Sequence, residues 1–325
     1  MKLEAHDERW PIAGAFTISR GSKTEAHVVV ATLAAKGHSG RGECVPYARY
    51  GETVEQTLAD IEALTPLFAA GMTRERLQGL IGPSAARNAL DCALWDLEAK
   101  ISGVSAWRAA GLPRFAPVET CFTISLGSPQ KMAADAAKAA HRPILKVKLG
   151  GQDDLACVEA VHAAAPLSRL VVDPNEAMTF DDLVRLAPVF AGLGVVMIEQ
   201  PLKAGEDDVL EGYDCPVPLC ADESLHTRAD LVTCARRYQA VAIKLDKTGG
   251  LTEALALADE ARGLGLQIMA GCMVATSLGM APAALIAQQS AVVDLDGPLL
   301  LARDRPDGIV YEGSTMHPPG PALWG

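Results

Sequence analysis

The sequence predicts an α/β fold in which eight parallel strands alternate with helices and close into a barrel. Five apolar stretches each end in a charged residue, at Lys148, Asp173, Glu199, Asp222 and Lys244. Consecutive charged ends lie 25, 26, 23 and 22 residues apart, which is about the length of one strand, one helix and two short loops. The spacing therefore indicates consecutive βα units, and chemistry in such barrels lies at the strand ends that carry these charges.

The first third of the chain has a different pattern, in which strands come first and helices follow as a block. Alternating apolar residues predict strands near 12–19 and 26–35, and the glycines near residue 40 are typical of turns. Helical periodicity follows near 53–69, 73–80 and 84–102, the last with Ser84 as its N-cap. This segregation of strands from helices predicts a small α+β domain over residues 1–115.

From residue 116 onward strands and helices alternate. Apolar stretches predict eight strands, near 119–125, 144–149, 169–173, 195–199, 217–222, 240–245, 266–270 and 291–295. Ser128-Pro129 and Thr227 with Asp230 are start signals for helices between them. The proline-rich segment after the last strand has no convincing helical pattern. We therefore predict a modified (β/α)7β barrel of the TIM type over 116–299, with about 300–325 completing an N-terminal capping domain.

Composition excludes several classes of partner. The chain of 325 residues is 49% hydrophobic and carries a net charge of −11 without a basic run, which argues against nucleic acid and membrane surfaces as partners. No apolar stretch is long enough to span a membrane, and the charged start shows no signal peptide. The eight cysteines lie scattered without a C-x-x-C motif, as is typical of reduced thiols. These features predict a cytoplasmic globular enzyme with a small-molecule substrate.

The charged strand ends predict a functional site at the mouth of the barrel. Lys146 and Lys148 stand two positions apart on one strand, so their side chains project to the same side. Each charge alone has an ordinary explanation, because a lysine can end a strand in solvent and a carboxylate can cap the following helix. Five consecutive units with a charge at one level favour a shared function, with Asp173, Glu199 and Asp222 adjacent on the third, fourth and fifth strands.

The order of the strands around an eight-strand ring predicts the chemistry. Lys148 on the second strand and Lys244 on the sixth lie opposite each other, with the three carboxylates on the arc between them. Three close carboxylates need a cation, and oxygen-only ligands favour Mg²⁺, or Mn²⁺, over zinc. A substrate carboxylate on that ion would place its α-carbon between two lysine bases. The ion would stabilise the enediolate formed when the α-proton leaves, and nearby positive charge would lower the pKa of Lys148.

These residues resemble the enolase superfamily, within its muconate lactonizing enzyme subgroup. The Lys-x-Lys pair, the Asp/Glu/Asp arc and the lysine of the sixth strand carry the resemblance over about residues 100–295. Further segments are similar to the dipeptide epimerases of that subgroup: Ile-Glu-Gln-Pro at 198–201, Ala-Asp-Glu-Ser at 221–224, Lys-Leu-Asp-Lys-Thr-Gly-Gly at 244–250 and Gly-Cys-Met at 271–273. Asp-Leu-Asp-Gly-Pro at 294–298 is the most characteristic of them.

The resemblance implies how the two ends of a substrate are bound. In the dipeptide epimerases the Asp-x-Asp pair of the eighth strand, here Asp294 and Asp296, holds the α-ammonium group. Arg20 corresponds to a capping-domain arginine that binds the side-chain carboxylate of a glutamate residue, a task that suits a guanidinium fork. A β-turn before Gly297 is the ordinary alternative for the two aspartates, and a solvated strand end is the alternative for Arg20.

Three more residues belong to the predicted site. Lys146 is assigned to substrate binding, and Asn175 and Glu223 are assigned to hydrogen bonds that support the metal ligands and lysines. Where related sequences usually read Asp-Ala-Asn, this chain has Asp173-Pro174-Asn175. The proline removes one backbone donor and leaves the metal ligand in place.

Several functions are compatible with these residues. The leading one is an isomerase that epimerises dipeptides at the C-terminal residue, above all L-Ala-L-Glu and L-Ala-D-Glu, as in recycling of cell-wall peptides. Within the same subgroup the alternatives are an o-succinylbenzoate synthase-like lyase, an N-acyl amino acid racemase and a muconate cycloisomerase. The lyase substrate has no ammonium group, so Asp294 and Asp296 would be unwanted charges in such an enzyme. A catalytically silent relative would gain nothing from costly inward lysines. The oligomeric state stays open, a homo-oligomer included.

Overall fold

The computed structural model describes residues 1–325, and its first part is an antiparallel sheet covered by helices. The strands are β1 (Lys2–Ile18), β2 (Gly21–Ala35) and β3 (His38–Cys44), in that order. The helices are α1 (Val54–Ala63), α2 (Thr65–Ala69), α3 (Arg74–Leu80), α4 (Ala85–Ser102) and α5 (Ala106–Ala109). Helix α4 lies directly on β3, since a Cβ on Gly42 would stand 2.1 Å from the Ala89 carbonyl oxygen. We call this part the capping domain.

The sequence prediction for the capping domain was right in its order and wrong in several details. Strand β2 begins at Gly21 and not near residue 26, and Gly40 and Gly42 lie inside β3 and not in turns. Strand β1 begins at Lys2 and not near residue 12, and it pairs with β2 from its first residue. Its first half is largely exposed, and a one-sided antiparallel strand can carry many charges. The helix expected over 53–69 is divided between α1 and α2, because Pro66 opens the second of them. The Ser84 cap of α4 is confirmed, since its side chain accepts from the Arg87 N–H.

The second part is a parallel sheet of eight strands in sequential order. They are β5 (Phe122–Ile124), β6 (Ile144–Lys148), β7 (Arg169–Asp173), β8 (Val195–Glu199), β9 (Leu219–Ala221), β10 (Ala240–Ile243), β11 (Gln267–Ala270) and β12 (Val292–Val293). The first and last strands meet through the Cys121 N–H, which donates to the Val293 carbonyl at 2.8 Å. The sheet therefore curls round into the predicted barrel.

Helices cover the outside of this sheet, and one βα unit is irregular. They are α6 (Pro129–Ala139), α7 (Asp154–Ala164), α8 (Phe180–Gly192), α9 (Leu231–Arg237), α10 (Leu245–Thr248), α11 (Leu251–Gly263), α12 (Ser277–Ala287) and α13 (Gly297–Leu300). The start signals at Ser128 and at Thr227 with Asp230 are confirmed. After β8 there is only a single 3-10 turn, Asp208–Leu210, where the prediction required a full helix. After β12 only the one-turn α13 follows, as expected.

The C-terminal segment leaves the barrel and returns to the capping domain. Strands β13 (Tyr311–Glu312) and β14 (Thr315–Met316) pair with β4 (Val118–Glu119) in a small sheet. The strand expected over 119–125 is thereby split between two sheets. The last residues then contact α4, because the indole of Trp324 donates to the Cys92 carbonyl at 2.9 Å and the Gly325 N–H donates to Asp96 at 2.8 Å. None of the helices has the length and apolar character that a membrane crossing requires.

A layer of small and apolar side chains fills the barrel and supports what lies above it. Its buried members are Cys121, Ile144, Val171, Met197, Cys220, Ala240, Ala242, Met269 and Val292. Because successive side chains of a strand alternate between its two faces, the residue two positions further along points to the same side. That residue is Lys146 after Ile144, Asp173 after Val171, Glu199 after Met197, Asp222 after Cys220, Lys244 after Ala242 and Asp294 after Val292. The strand pleat therefore turns all six charges into the mouth of the barrel.

Candidate active site

The structure gathers the predicted charges of the barrel into one buried cluster. Their side chains are almost fully shielded from solvent, with Asp173 and Glu199 at 0% exposure and Lys146 at 2%. Buried lysines and carboxylates are costly unless they are paired. Each of these residues except Asp296 lies within ion-pair distance of at least one opposite charge, so they form a connected network.

Lys148 and Lys244 stand on the two sides of the carboxylate arc, as the strand order predicted. The Lys148 ammonium lies 2.5 Å from Asp173 Oδ2 on β7. The Lys244 ammonium lies 2.6 Å from Asp222 Oδ2 and 3.5 Å from Glu199 Oε1. Lys148 belongs to β6 and Lys244 follows β10, four strands further round the sheet. A small molecule bound over the arc would have one ammonium group on each of its faces.

Lys146 lies in the middle of the arc and takes the place of a bridging cation. Its ammonium is 3.1 Å from Asp173 Oδ2, 2.5 Å from Glu199 Oε2 and 2.7 Å from Asp294 Oδ2. Since it is buried against protein carboxylates on three sides, its contacts are with the protein charges. The expectation that Lys146 binds substrate therefore stays a prediction.

The arc suits a hard divalent cation, although its oxygens do not converge on one point in this structure. Lysine ammonium groups lie between the carboxylates of Asp173, Glu199 and Asp222 and hold them apart. Both oxygens of Glu199 are buried, and neither accepts a hydrogen bond of good geometry. An oxygen-only donor set with an unsatisfied carboxylate, bridged by a monovalent ammonium, fits Mg²⁺ chemistry.

The cluster displaces the pKa values of its members in opposite directions. Burial, and then the charge of Asp173, raise the pKa of Glu199 to about 7. Burial also opposes ionisation of Asp222, but the Lys244 and Lys247 ammonium groups outweigh it and hold the pKa of that carboxyl well below its usual range. Burial likewise opposes the charge of Lys244, yet the attraction of Asp222 and Glu199 raises its pKa above the ordinary value. In the protein without a bound ion, the pKa of Lys244 is therefore raised, whereas a base requires a lowered one.

The eighth strand supplies a second acidic wall that faces the arc. Asp294 accepts from Lys146 through Oδ2 at 2.7 Å, and its Oδ1 is buried without a partner. Asp296 accepts from the Thr123 N–H at 2.7 Å. Burial, followed by the charge of Asp294, raises the pKa of Asp296 to about 7. The free oxygen of Asp294 is the place on this wall where a further donor, such as an ammonium group, fits.

The capping domain reaches this mouth through Arg20, in the turn between β1 and β2. Its guanidinium donates to Glu223 Oε1 at 2.7 Å, to Glu176 Oε2 at 3.0 Å and to the Asn175 carbonyl at 3.0 Å. Arg20 is thus not a solvated strand end. Protein carboxylates already occupy its donors, so a substrate carboxylate would have to replace or share these contacts.

Asn175 and Glu223 lie beside the carboxylate arc, but their side chains do not make the predicted contacts. Glu223 Oε1 accepts from Arg20 at 2.7 Å and not from a lysine, and the side-chain oxygen of Asn175 is buried without a partner. The Asn175 N–H donates to Asp173 Oδ1 at 3.0 Å, and the residue adopts φ of 46°. That left-handed conformation is one that asparagine tolerates better than most residues. Burial, followed by the charge of Asp222, raises the pKa of Glu223 to about 7. Pro174 does not disturb this hydrogen bond, as expected.

Two residues of the site received no role from the sequence. Gln200 accepts from the Asp222 N–H at 2.8 Å and from the Ser224 N–H at 3.1 Å, which ties the fourth strand end to the fifth. Lys247 donates to Asp222 Oδ1 at 2.6 Å from inside the short helix α10. Both residues lie in segments that carry the family resemblance, and the sequence signal for Lys247 is a second lysine about one helical turn after Lys244. Nothing local in the sequence shows that either side chain is buried.

The family follows from the match of both parts of the chain. Residues 1–111 match the family described as Mandelate racemase / muconate lactonizing enzyme, N-terminal domain, and residues 131–321 match Enolase C-terminal domain-like. The chain belongs to the enolase superfamily. In this chain the turn of the capping domain that carries Arg20 contacts the strand ends of the barrel at the site.

Three relatives within the enolase superfamily cover nearly all of the chain. It is 43% identical to L-Ala-D/L-Glu epimerase from Escherichia coli K12, over 97% of this chain and 99% of the relative. It is 45% identical to N-acetyl-D-glutamate racemase from Pseudoalteromonas sp., over 92% and 95%. A crystal structure from Agrobacterium tumefaciens, of an enolase family member with homology to dipeptide epimerases and with bound sodium and L-Ala-L-Glu, is 54% identical over 99% of both chains, with a TM-score of 0.97.

Proposed function

We propose that this protein is an isomerase that epimerises dipeptides at the C-terminal residue, with L-Ala-L-Glu and L-Ala-D-Glu as its main substrates. The observation that carries this function is the pair of buried lysines, Lys148 and Lys244, on opposite sides of a carboxylate arc. The identity to L-Ala-D/L-Glu epimerase over nearly the whole chain supports it. So does the L-Ala-L-Glu bound to the Agrobacterium tumefaciens protein.

Asp173, Glu199 and Asp222 are the residues that would hold the metal, with Mg²⁺ as the physiological ion and Mn²⁺ as a substitute. Other solved dipeptide epimerases hold Mg together with a dipeptide, which supports this assignment. When bound, the ion supplies electrostatic stabilisation of the charge that develops on the substrate carboxylate as the α-proton leaves. Glu199 would benefit most from the ion, because lysines approach its two oxygens without forming hydrogen bonds of good geometry.

Lys148 and Lys244 act as the two bases, one on each face of the substrate α-carbon. One lysine, in its neutral form, takes the α-proton from its face; the other, as an ammonium, returns a proton to the opposite face. The product is the other epimer, and the two lysines have exchanged protonation states. Because Asp222 and Glu199 raise the pKa of Lys244, competition of a divalent ion for these carboxylates would bring the lysine closer to neutrality.

Asp294, Asp296 and Arg20 bind the two ends of the dipeptide. The free Oδ1 of Asp294 accepts from the α-ammonium group, and Asp296 supplies further negative charge on the same wall. Arg20 binds the glutamate side chain by giving up part of its contact with Glu223 or Glu176. Lys146 neutralises the arc between these two regions, and it lies within reach of both walls.

A second candidate function is racemisation of an N-acylated glutamate. The 45% identity to N-acetyl-D-glutamate racemase favours it directly, and the two lysines would serve that reaction equally well. An N-acyl group carries no charge, however, so it would leave the buried Oδ1 of Asp294 unpaired at a cost of about 1–3 kcal/mol. The dipeptide is therefore the better match to this eighth-strand wall.

The setting and domain organisation are part of the same proposal. We place the enzyme in the cytoplasm, where it would return cell-wall peptides to metabolism, and its eight unpaired cysteines suit a reducing compartment. We assign residues 1–115 and about 300–325 to the capping domain and 116–299 to the barrel, which the contact of Trp324 with α4 supports. A homo-oligomer is compatible with this arrangement, and no nucleic acid is required.

The function is tested by deuterium incorporation. L-Ala-L-Glu, L-Ala-D-Glu and N-acetyl-L-glutamate are each incubated with the full chain and Mg²⁺ in D₂O. We expect each turnover of the dipeptides to add one deuterium and to yield the other epimer, read by mass and by chiral chromatography. Faster exchange of N-acetylglutamate would establish the second candidate, and exchange of none of the three would reject both functions.

A further inference from the structure

Lys247 is a buried lysine for which the proposed reaction has no use. Its side chain is 1% exposed. Its ammonium group donates to Asp222 Oδ1 at 2.6 Å, to the Asp222 carbonyl at 2.5 Å and to the Ala242 carbonyl at 3.0 Å. An ammonium has three N–H donors, so every one of them is engaged by the protein. Lys247 is therefore unavailable as a third base or as a substrate ligand.

Its contacts divide the Asp222 carboxylate between two lysines. Oδ1 belongs to Lys247, whereas Oδ2 faces the reaction site and accepts from Lys244 at 2.6 Å. The backbone of Asp222 is fixed at both ends of the residue, by Lys247 at the carbonyl and by Gln200 at the N–H. Only one oxygen of this carboxylate thus remains to be shared with another cation.

The helix turn that carries Lys247 is in turn held by the capping domain. Arg87 of α4 donates to the Thr248 carbonyl at 2.6 Å and to the Gly249 carbonyl at 2.9 Å. Asn88 donates to Asp246 at 2.8 Å. At Gly249, with φ of 69°, a Cβ would lie 2.6 Å from the Arg87 side chain, so this close approach requires glycine. Contacts from another domain to three residues of this turn and its cap, Asp246, Thr248 and Gly249, leave Lys247 little freedom to move.

We propose that Lys247 is a positioning residue that orients Asp222 toward the divalent ion and couples that orientation to docking of the capping domain. The inference rests on the function proposed above, because it assumes that Asp222 binds the ion. A residue that holds a metal ligand through its second oxygen typically contributes about 10- to 100-fold in metal affinity. Removing it should free Asp222 to pair through both oxygens with Lys244 and to leave the arc.

The experiment compares two lysine variants of the full chain by titration calorimetry with Mg²⁺ and by thermal unfolding. K247M keeps the length of the side chain and removes the ammonium. K100M is the matched control, because Lys100 also pairs with a fully buried aspartate, Asp96, at 2.8 Å but lies outside the site. We expect K247M to weaken Mg²⁺ binding about 10- to 100-fold and K100M to leave the Kd unchanged, even where both lower the Tm.

Equal Mg²⁺ affinity of K247M and the wild type would overturn the proposal, whatever happens to the Tm. K247Q serves in the same titration if K247M does not fold. K247R is expected to restore binding only in part, because a planar guanidinium cannot reproduce three converging ammonium bonds. A wild type that binds no Mg²⁺ would reject the metal assignment and this role together. A wild type that binds Mg²⁺ without epimerising dipeptides would reject the function alone, and the comparison of the variants would still decide the role of Lys247.

Discussion

The barrel mouth has two acidic walls, and the protein neutralises them to different extents. On the wall formed by the ends of β7, β8 and β9, Asp173 and Asp222 each lie within 2.6 Å of a lysine ammonium, and two lysines also approach Glu199. On the wall that follows β12, Asp294 shares Lys146 with the other wall and keeps one oxygen without a partner. Asp296 is held by Thr123 and no lysine reaches it.

This difference shows how one residue type can perform two tasks in one cavity. On a wall already paired with ammonium groups, a divalent ion can replace those groups as the partner of the carboxylates. A wall with an unpaired buried oxygen keeps its negative potential for a cation that arrives with the substrate. Under the proposed function, a dipeptide with a carboxylate at one end and an ammonium at the other would lie between the two walls in a single orientation.

Loss of either base should have the largest effect on activity. K148A and K244A are each expected to lower the rate of dipeptide epimerisation about 10³-fold or more, since a positioned acid or base contributes roughly 10²- to 10⁴-fold and both are needed. Each variant should still exchange deuterium into one epimer, from the face whose lysine remains. Chiral separation after incubation in D₂O measures both effects. Near wild-type epimerisation by both single variants would show that the lysines do not act as a pair.

The sequence was sufficient to predict the wall at the ends of β7, β8 and β9, because this wall depends on local patterns. Apolar stretches that end in a charge, at intervals of one βα unit, give the strand ends, and the pleat fixes which side chains face inward. Asp173, Glu199 and Asp222 come together for that reason alone. The eighth-strand wall needed the family resemblance, since Asp294 and Asp296 beside a glycine and a proline look like a turn.

The pairing between the walls could not be predicted, because it depends on contacts that are distant in the chain. Lys146 joins Asp294, 148 residues away, and Arg20 joins Glu223, 203 residues away. No periodicity encodes such pairs. The helix expected after β8 is absent, and the first half of β1 is a strand in spite of its charged residues. Tertiary packing decides both features, so no local pattern shows them. Lys247 was overlooked because a lysine on a short helix is ordinarily exposed.

Removing charge from the first wall should weaken metal binding and leave recognition of the ammonium group intact. The substitution E199Q keeps the shape of the Glu199 side chain and removes its negative charge. We expect E199Q to lose at least about 10²-fold in Mg²⁺ affinity, measured by calorimetry, and in activity, measured by initial rates. Treating the wild type with a chelator should lower its activity to a similar extent, and added Mg²⁺ should restore it. D294N is the control on the other wall and should bind Mg²⁺ normally. Full activity after exhaustive chelation would contradict the assignment.

A substitution on the second wall, D294N, should change substrate selectivity without affecting metal binding. Wild type is expected to prefer L-Ala-L-Glu over its N-acetyl derivative by about 10- to 100-fold in kcat/KM, because acylation leaves Oδ1 of Asp294 buried without a partner. D294N, which lacks that charge, should lose most of the preference. Competition assays with both substrates in one vessel give the ratio directly. A wild-type preference for the acylated compound would favour the N-acylglutamate racemase and contradict the task we assign to the second wall.

Titration of Asp296 should be visible in the stability of the protein. Burial and Asp294 raise its pKa to about 7 from an ordinary value of 3.8, so the folded protein keeps a proton that the unfolded chain loses between these pH values. The free energy of unfolding should therefore fall as pH rises through this window. D296N can still accept from Thr123 and cannot ionise. Relative to it, the wild type should lose on the order of 4 kcal/mol between pH 4 and pH 7.5. A difference that is flat with pH in urea unfolding would place Asp296 among fully ionised residues.

The smallest effect is expected at Arg20, the one cation near the first wall whose partners can be exchanged for substrate. Its guanidinium is 27% exposed and donates to Glu223 and Glu176, so partly hydrated contacts are traded for similar ones and the net gain is small. R20A should raise KM about 3- to 10-fold for L-Ala-L-Glu and leave L-Ala-L-Ala almost unchanged. R49A is the matched control, because Arg49 contacts Glu176 at 2.9 Å and does not contact Glu223. If R20A and R49A impair both dipeptides equally, Arg20 fastens the capping domain to the barrel, and selection for glutamate must come from the second wall or from the cavity shape.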